Sequence, residues 1–279
     1  MPIHDQRGAT AARNKMPTPH KTGNRPRGLR SRAGVAVITL VTLGLTTALT
    51  GCGTDTEAPS KVRSDAGDDG KGKFGSVDCR KDKCIALTFD AGPHGKHTPR
   101  LLDILKKEKV PATFFLLGKK HIDTHPELVR RIDAEGHEIA SHTWTHRRLT
   151  ELDADEVRWE LERTNKELKK LTGRAPTLMR PPQGRTDEEV NKISKSLGLS
   201  EIMWTVTAKD YKTTDSALIK RRVLEQSGRD GIILLHDIYD GTVPAVPGII
   251  EELKSRGYTF VTVPQLFAPG VPEPGKVYR

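Results

Sequence analysis

What most limits the fold is an alternation that runs from Cys84 to Phe267. Short apolar runs alternate with longer stretches whose apolar residues recur at helical spacing. Cys84-Ile85-Ala86-Leu87 and Ile232-Ile233-Leu234-Leu235 are apolar throughout, as strands buried on both faces must be. Between them Pro111 precedes the β-forming run Ala112–Leu117. Shorter strands are read at Glu138–Ser141, Thr177–Met179, Glu201–Thr205 and Thr259–Val261. Helices are read at Thr98–Glu108, Pro126–Glu135, Asp155–Leu171, Asp187–Leu197, Asp215–Gln226 and Val246–Arg256, with a closing turn at Pro264–Phe267. The strongest is Asp155–Leu171, where Val157, Leu161, Leu168 and Leu171 share a face and Gly173 follows the end. About seven strands alternating with helices predict an α/β fold with a parallel sheet, suited to a barrel interior covered by helices.

The rest of the chain reads differently. Hydrophobic residues make up 35% and aromatic residues 5%, low enough to place part of the chain outside a globular core. Residues 1–51 hold eight Lys/Arg (Arg7, Arg13, Lys15, Lys21, Arg25, Arg27, Arg30, Arg32) against Asp5, a net +7, which leaves +3 of the total +10 for everything else. A nucleic-acid partner is therefore not expected. The basic start leads into an apolar segment from Ala33 to Leu49, short and Thr/Gly-rich for a spanning helix, and the order of charge then apolar run is that of an export signal. It ends in Leu49-Thr50-Gly51-Cys52, which resembles the lipobox of bacterial lipoproteins. On that resemblance residues 1–51 are a signal peptide, with Met16 an alternative start. Cys52 carries the lipid, and the protein sits on the extracellular face of the bacterial cell membrane, plain secretion being the alternative. Residues 52–76 are Gly-, Asp-, Lys- and Ser-rich and read as a flexible tether; the domain is expected over 77–268, and the Pro/Gly-rich residues 269–279 as a loose tail. Setting Cys52 aside leaves Cys79 and Cys84, an even pair that outside the cytoplasm is expected to form a disulfide.

Polar residues collect where the strands end, the edge at which a (β/α) barrel carries its chemistry. After the first strand comes Thr88-Phe89-Asp90-Ala91-Gly92-Pro93, with Asp90 at the turn. After the third comes His142-Thr143-Trp144-Thr145-His146. Histidines at i and i+4 share a face of a helical turn, about 5–6 Å apart, and can reach one divalent metal. Arg180-Pro181-Pro182-Gln183-Gly184 follows the next strand: a rigid loop that can aim backbone N–H groups at an oxyanion, with Arg180 suited to a bidentate hold on a carboxylate. His236-Asp237 ends the strand Ile232–Leu235, making His236 a candidate acid or base, with Asp210 placed to orient it.

In these five motifs and in their order, the chain resembles the polysaccharide deacetylases of carbohydrate esterase family 4 over Cys84–Phe267. The resemblance implies a distorted (β/α) barrel with a groove across its mouth. It also implies a divalent metal, often zinc, and the removal of acetyl groups from N-acetylated sugars or acetylated xylan. By the same resemblance Asp90 is the catalytic base and Arg180 its partner. His142 and His146 bind the metal. His236 is the acid that protonates the leaving amine, tuned by Asp210. Gln183 stands where a tyrosine is usual and offers its backbone N–H to the oxyanion. Tyr211, in place of the usual tryptophan, and Leu234 line the pocket for the acetyl methyl. The departure is Ala91, where the family's pattern has an aspartate as third metal ligand. Three outcomes follow: the two histidines hold the metal with waters and Asp90, His94 swings in as a third ligand, or the metal is lost. The expected function is a metal-dependent deacetylase of an N-acetylglucosamine polymer, cell-wall peptidoglycan before chitin. Its partners are the acetylated polysaccharide and, through the lipid, the membrane. The alternatives are an acetylxylan esterase and a catalytically silent glycan-binding module.

Overall fold

The computed structural model describes residues 55–68, 70, 72 and 75–279. The segment read as a signal peptide and Cys52, read as the lipidation site, lie outside the described residues.

The hub is β2 (Cys84–Asp90), buried along its whole length. It pairs in parallel with β3 (Thr113–Leu116), β8 (Gly231–His236) and β9 (Thr259–Val261). Beyond β3 the sheet continues through β4 (Glu138–Ser141), β5 (Leu178–Met179) and β6 (Ser200–Ile202), and beyond β8 it ends in β7 (Val206–Thr207). The result is a curled, all-parallel sheet. The pleat sorts β2 by parity. Ile85, Leu87 and Phe89 join the core beneath helices α2 (His97–Glu108) and α7 (Thr242–Ser255), together with Leu101, Leu102 and Leu105 of α2. Each such side chain contributes about 1.5–3 kcal/mol on burial. The alternate positions, Ala86, Thr88 and Asp90, line the other face. Parity thus decides which side chains of the hub strand remain for chemistry.

All seven strands read from the sequence are present, and three two-residue strands join them. Two of these correct the domain limits. Within the stretch read as a tether, β1 (Thr56–Glu57) and α1 (Pro59–Ala66) are folded. Pro59 starts α1, and the buried Arg63 donates to the Leu266 carbonyl at 2.5 Å and to Asp230 Oδ2 at 2.6 Å. In the stretch read as a loose tail, β10 (Val277–Tyr278) pairs with both β6 and β1, and Tyr278 is buried against Phe267. Composition missed both because these segments are short and polar overall and dock through backbone pairing, ion pairs and a few apolar side chains such as Val62 and Tyr278. The run read as Glu201–Thr205 shortens to β6, which ends at Ile202, and the third short strand, β7, follows just beyond it. Cys79 and Cys84 are joined by a disulfide at the entry to β2.

Candidate active site

Strand register gathers the site. Asp90 and His236 are partners at the ends of β2 and β8, so a carboxylate and an imidazole stand on adjacent parallel strands. Thr88 lies two residues before Asp90 and shares its face. Arg180 follows β5 and is fully buried. Its Nη1 donates to Asp90 Oδ1 at 2.6 Å and to Thr88 Oγ1 at 2.8 Å, and Nε donates to the Ile202 carbonyl at 2.8 Å. Its guanidinium packs 4.0 Å from the centroid of the Phe115 ring. Arg180 is therefore an interior clamp, and it grips Asp90 through one oxygen rather than two. The other oxygen, Oδ2, lies 4.0 Å from His142 Nε2. Burial raises the Asp90 carboxyl above the ordinary carboxylate value against the pull of Arg180. That makes it a better proton acceptor than a solvated aspartate.

The histidine pair is built by a loop. His142 follows β4, and its Nδ1 faces the Arg180 carbonyl at 2.8 Å. That carbonyl accepts a hydrogen bond from Nδ1–H, which leaves the Nε2 lone pair on the side of Asp90. The His142 and His146 rings lie 4.9 Å apart between centroids. Burial lowers the pKa of both, so they are held neutral, the form that ligates a metal. The helical turn expected here does not form: Thr143 and His146 have φ of 70° and 63°. A β-branched residue in the left-handed region is strained, so the loop needs bracing. Glu160, buried on α4 (Ala154–Thr172), supplies it by accepting from the backbone N–H groups of Trp144 at 2.8 Å and Thr145 at 2.7 Å, and from the Thr145 hydroxyl. On the other side a Cβ at Gly118 would fall 2.0 Å from Trp144 Cε3, so only glycine fits there.

The residues present fit a divalent cation only as an incomplete set. Two neutral imidazoles face each other with Asp90 Oδ2 beside one of them. Ala91 offers a methyl group, and among the described residues no three His, Cys, Asp or Glu side chains form a metal-holding group. His94 does not complete the set. Its Nδ1 accepts from the backbone N–H groups of Lys96 at 3.2 Å and His97 at 3.4 Å, at the start of α2.

His236 is braced by Asp210. Asp210 Oδ1 accepts from His236 Nδ1 at 2.8 Å, and Oδ2 accepts from the His236 backbone N–H and the Thr242 hydroxyl, both at 2.8 Å. Burial disfavours the imidazolium, but the hydrogen bond and charge of Asp210, with Asp90 adding, raise its pKa above the ordinary histidine value. With Nδ1 committed, Nε2 is the nitrogen left for substrate.

These groups open onto one cavity of about 630 Å³, lined also by Pro181, Gln183, Tyr211 and Leu234. Every strand-end residue singled out from the sequence, apart from His94, is thus brought to this cavity or to a residue that lines it. Gln183 sits at φ 60° in the loop after Pro182, and its side-chain oxygen accepts from Arg148 Nε at 2.9 Å. Sequence reasoning missed Thr88, Glu160 and Thr242, which act on other residues, and Trp204, Lys209, Lys212 and Tyr239 of the lining. Glu160 had a signal: it falls three residues after Val157 on the buried stripe of α4, where a carboxylate needs a partner.

The profile of the family described as polysaccharide deacetylase matches residues 78–202. The peptidoglycan-N-acetylglucosamine deacetylase PgdA of Listeria monocytogenes is 39% identical over 188 residues, which is 67% of this chain and 40% of that protein. The chain thus spans well under half the length of that relative. The solved structure of the peptidoglycan deacetylase PdaC from Bacillus subtilis matches with a TM-score of 0.65 at 38% identity, covering 69% of this chain and 93% of that one. A Bacillus anthracis structure described as a CE4 family pseudoenzyme matches with a TM-score of 0.65 at 29% identity, covering 71% of this chain and 70% of that one. A mutant of that pseudoenzyme is described as having restored enzymatic activity. The chain belongs to the polysaccharide deacetylase family, carbohydrate esterase family 4.

Proposed function

We propose that this chain is a metal-dependent deacetylase that removes N-acetyl groups from an N-acetylglucosamine-containing cell-wall polymer, releasing acetate. The observation that carries the reading is one cavity joining a clamped carboxylate, a neutral imidazole pair and a carboxylate-braced imidazole. His142 and His146 would hold the cation, zinc by the resemblance, with Asp90 Oδ2 beside them. When bound, the cation supplies Lewis acidity for the acetamide carbonyl and acidifies water. The protein's own groups do the rest. Asp90, fixed at Oδ1 by Arg180, accepts the proton of the attacking water at Oδ2. The Gln183 backbone N–H is the donor to the developing oxyanion. His236, its Nδ1–H held by Asp210, delivers a proton from Nε2 to the leaving nitrogen. Tyr211 and Leu234 bound the space for the acetyl methyl. The proposal extends to location: Cys52 carries lipid and holds the enzyme at the extracellular face of the membrane, next to this polymer.

The test is acetate release by the full chain from peptidoglycan and chitin oligosaccharides, with and without a chelator. No acetate from either under any divalent metal overturns the reading. One observation favours a second reading, a silent glycan-binding module: Ala91 leaves the cation set incomplete, and the family includes a protein described as a pseudoenzyme. Under that reading glycan binds without hydrolysis and His142→Ala leaves binding unchanged.

A further inference from the structure

The charge of the cavity is unbalanced in a way the reaction does not require. Its lining holds one carboxylate, Asp90, already neutralised by Arg180, and two ammonium groups, Lys209 and Lys212. Neither lysine has a carboxylate partner among the described residues. Asp210, adjacent in sequence to Lys209, is buried and directed at His236 and Thr242, and pairs with neither lysine. Both lysines are exposed at the rim, and they flank Tyr211, which is 49% exposed. Lys212 Nζ lies 5.6 Å from the Tyr211 ring centroid. The backbone adds a second observation. Lys209 has φ 49°, a conformation that glycine or asparagine adopts at least cost, yet a long cation occupies it. Lys209 caps and Lys212 ends the turn Asp210–Lys212, whose Asp210 holds His236, so the backbone that carries both cations is fixed relative to the candidate acid.

We propose that Lys209 and Lys212 form an anion subsite at the rim, which selects an N-acetylated glycan bearing carboxylates near the acetamide over a neutral one. The carboxylate is that of a lactyl ether on the sugar ring or of a peptide attached through it. The identity of the sugar rests on the deacetylase reading; the anion subsite does not.

The test is binding by the purified full chain, read by calorimetry, without turnover. The ligands are an N-acetylglucosamine tetrasaccharide, a tetrasaccharide in which alternate sugars carry free 3-O-lactyl groups, the same compound with those carboxylates reduced to alcohols, and a form carrying the peptide. At low salt the carboxylated ligand should bind about ten-fold more tightly than the neutral and reduced ones, and the advantage should shrink as salt rises. The peptide form shows whether a peptide carboxylate serves in place of the lactyl one. The double variant Lys209→Gln/Lys212→Gln should lose the advantage and keep its affinity for the neutral ligand, and Lys209→Arg/Lys212→Arg should retain it. The parent and both variants share the basic N-terminal segment, so its contribution cancels. Equal affinity for charged and neutral ligands in the parent, an equal loss on both in the Gln variant, or no binding to any ligand overturns the proposal. Selective binding without acetate release breaks the proposed function and leaves the subsite standing. Equal acetate release from charged and neutral polymers with equal binding does the reverse.

Discussion

The half of the site that would move protons and the half that would hold a cation share one cavity but differ in how fully their groups are partnered. In the first, Asp90 is held by Arg180, Arg180 by Thr88 and two backbone carbonyls, and His236 by Asp210, itself held by Thr242. These contacts follow from strand register and strand parity. In the second, two imidazoles sit on an irregular loop with two left-handed residues, braced by Glu160, and the neighbouring position 91 has no donor. The difference teaches that, in the proposed reaction, a rigid sheet would fix the proton path regardless of the cation, whereas affinity for a cation would be set by a loop and one missing side chain. The two halves should therefore respond separately to mutation.

The largest effects belong to the fully partnered half. Asp90→Asn should lower kcat/KM for acetate release by about 10²–10⁴-fold with the fold intact. Arg180→Met should also cost about 3–5 kcal/mol of stability in thermal melts, because it leaves a buried carboxylate unpaired. A melt unchanged by Arg180→Met would break the comparison. His236→Ala should cost about 10²-fold in kcat, with metal affinity unchanged by competition titration. On the other side, Glu160→Gln should weaken metal affinity by about ten-fold, as loss of a group that orients a ligand does, and should leave the pH profile alone. A smaller change is a gain: Ala91→Asp should tighten metal binding and raise activity several-fold at limiting metal. The left-handed backbone at Ala91, φ 66°, is one aspartate tolerates better than alanine. No change in metal titration would show that position 91 does not face the cation. The smallest effect is a pH shift. Asp210 raises His236, so Asp210→Asn lowers that pKa, and the imidazolium is lost at a lower pH. The alkaline limb of kcat should move to lower pH, with the acid limb in place.

The strand alternation and the strand-end polar residues were legible because both are local: a continuous apolar run reads as a buried strand, and a polar residue after it reads as a strand end. The partners of those residues were not. Thr88, Glu160 and Thr242 act from positions far along the chain, and nothing in their neighbouring residues announces what they hold. The histidine spacing suggested a helical turn, yet the rings meet through a loop held by backbone hydrogen bonds, whose geometry spacing alone does not specify. The lysines of the rim were invisible for a related reason. A lysine is informative only when its lack of a partner can be seen.

The early start of the folded body has a consequence for where such an enzyme works. Strand β1 begins at Thr56 and is paired to β10 at the far end of the chain. Only Gly53, Thr54 and Asp55 separate it from Cys52. Extended chain spans about 3.3–3.6 Å per residue, so a lipid on Cys52 would keep β1 within about 14 Å of the bilayer surface. Under the proposed lipidation, such a short leash would hold the folded body at the bilayer and favour glycan lying close to the membrane.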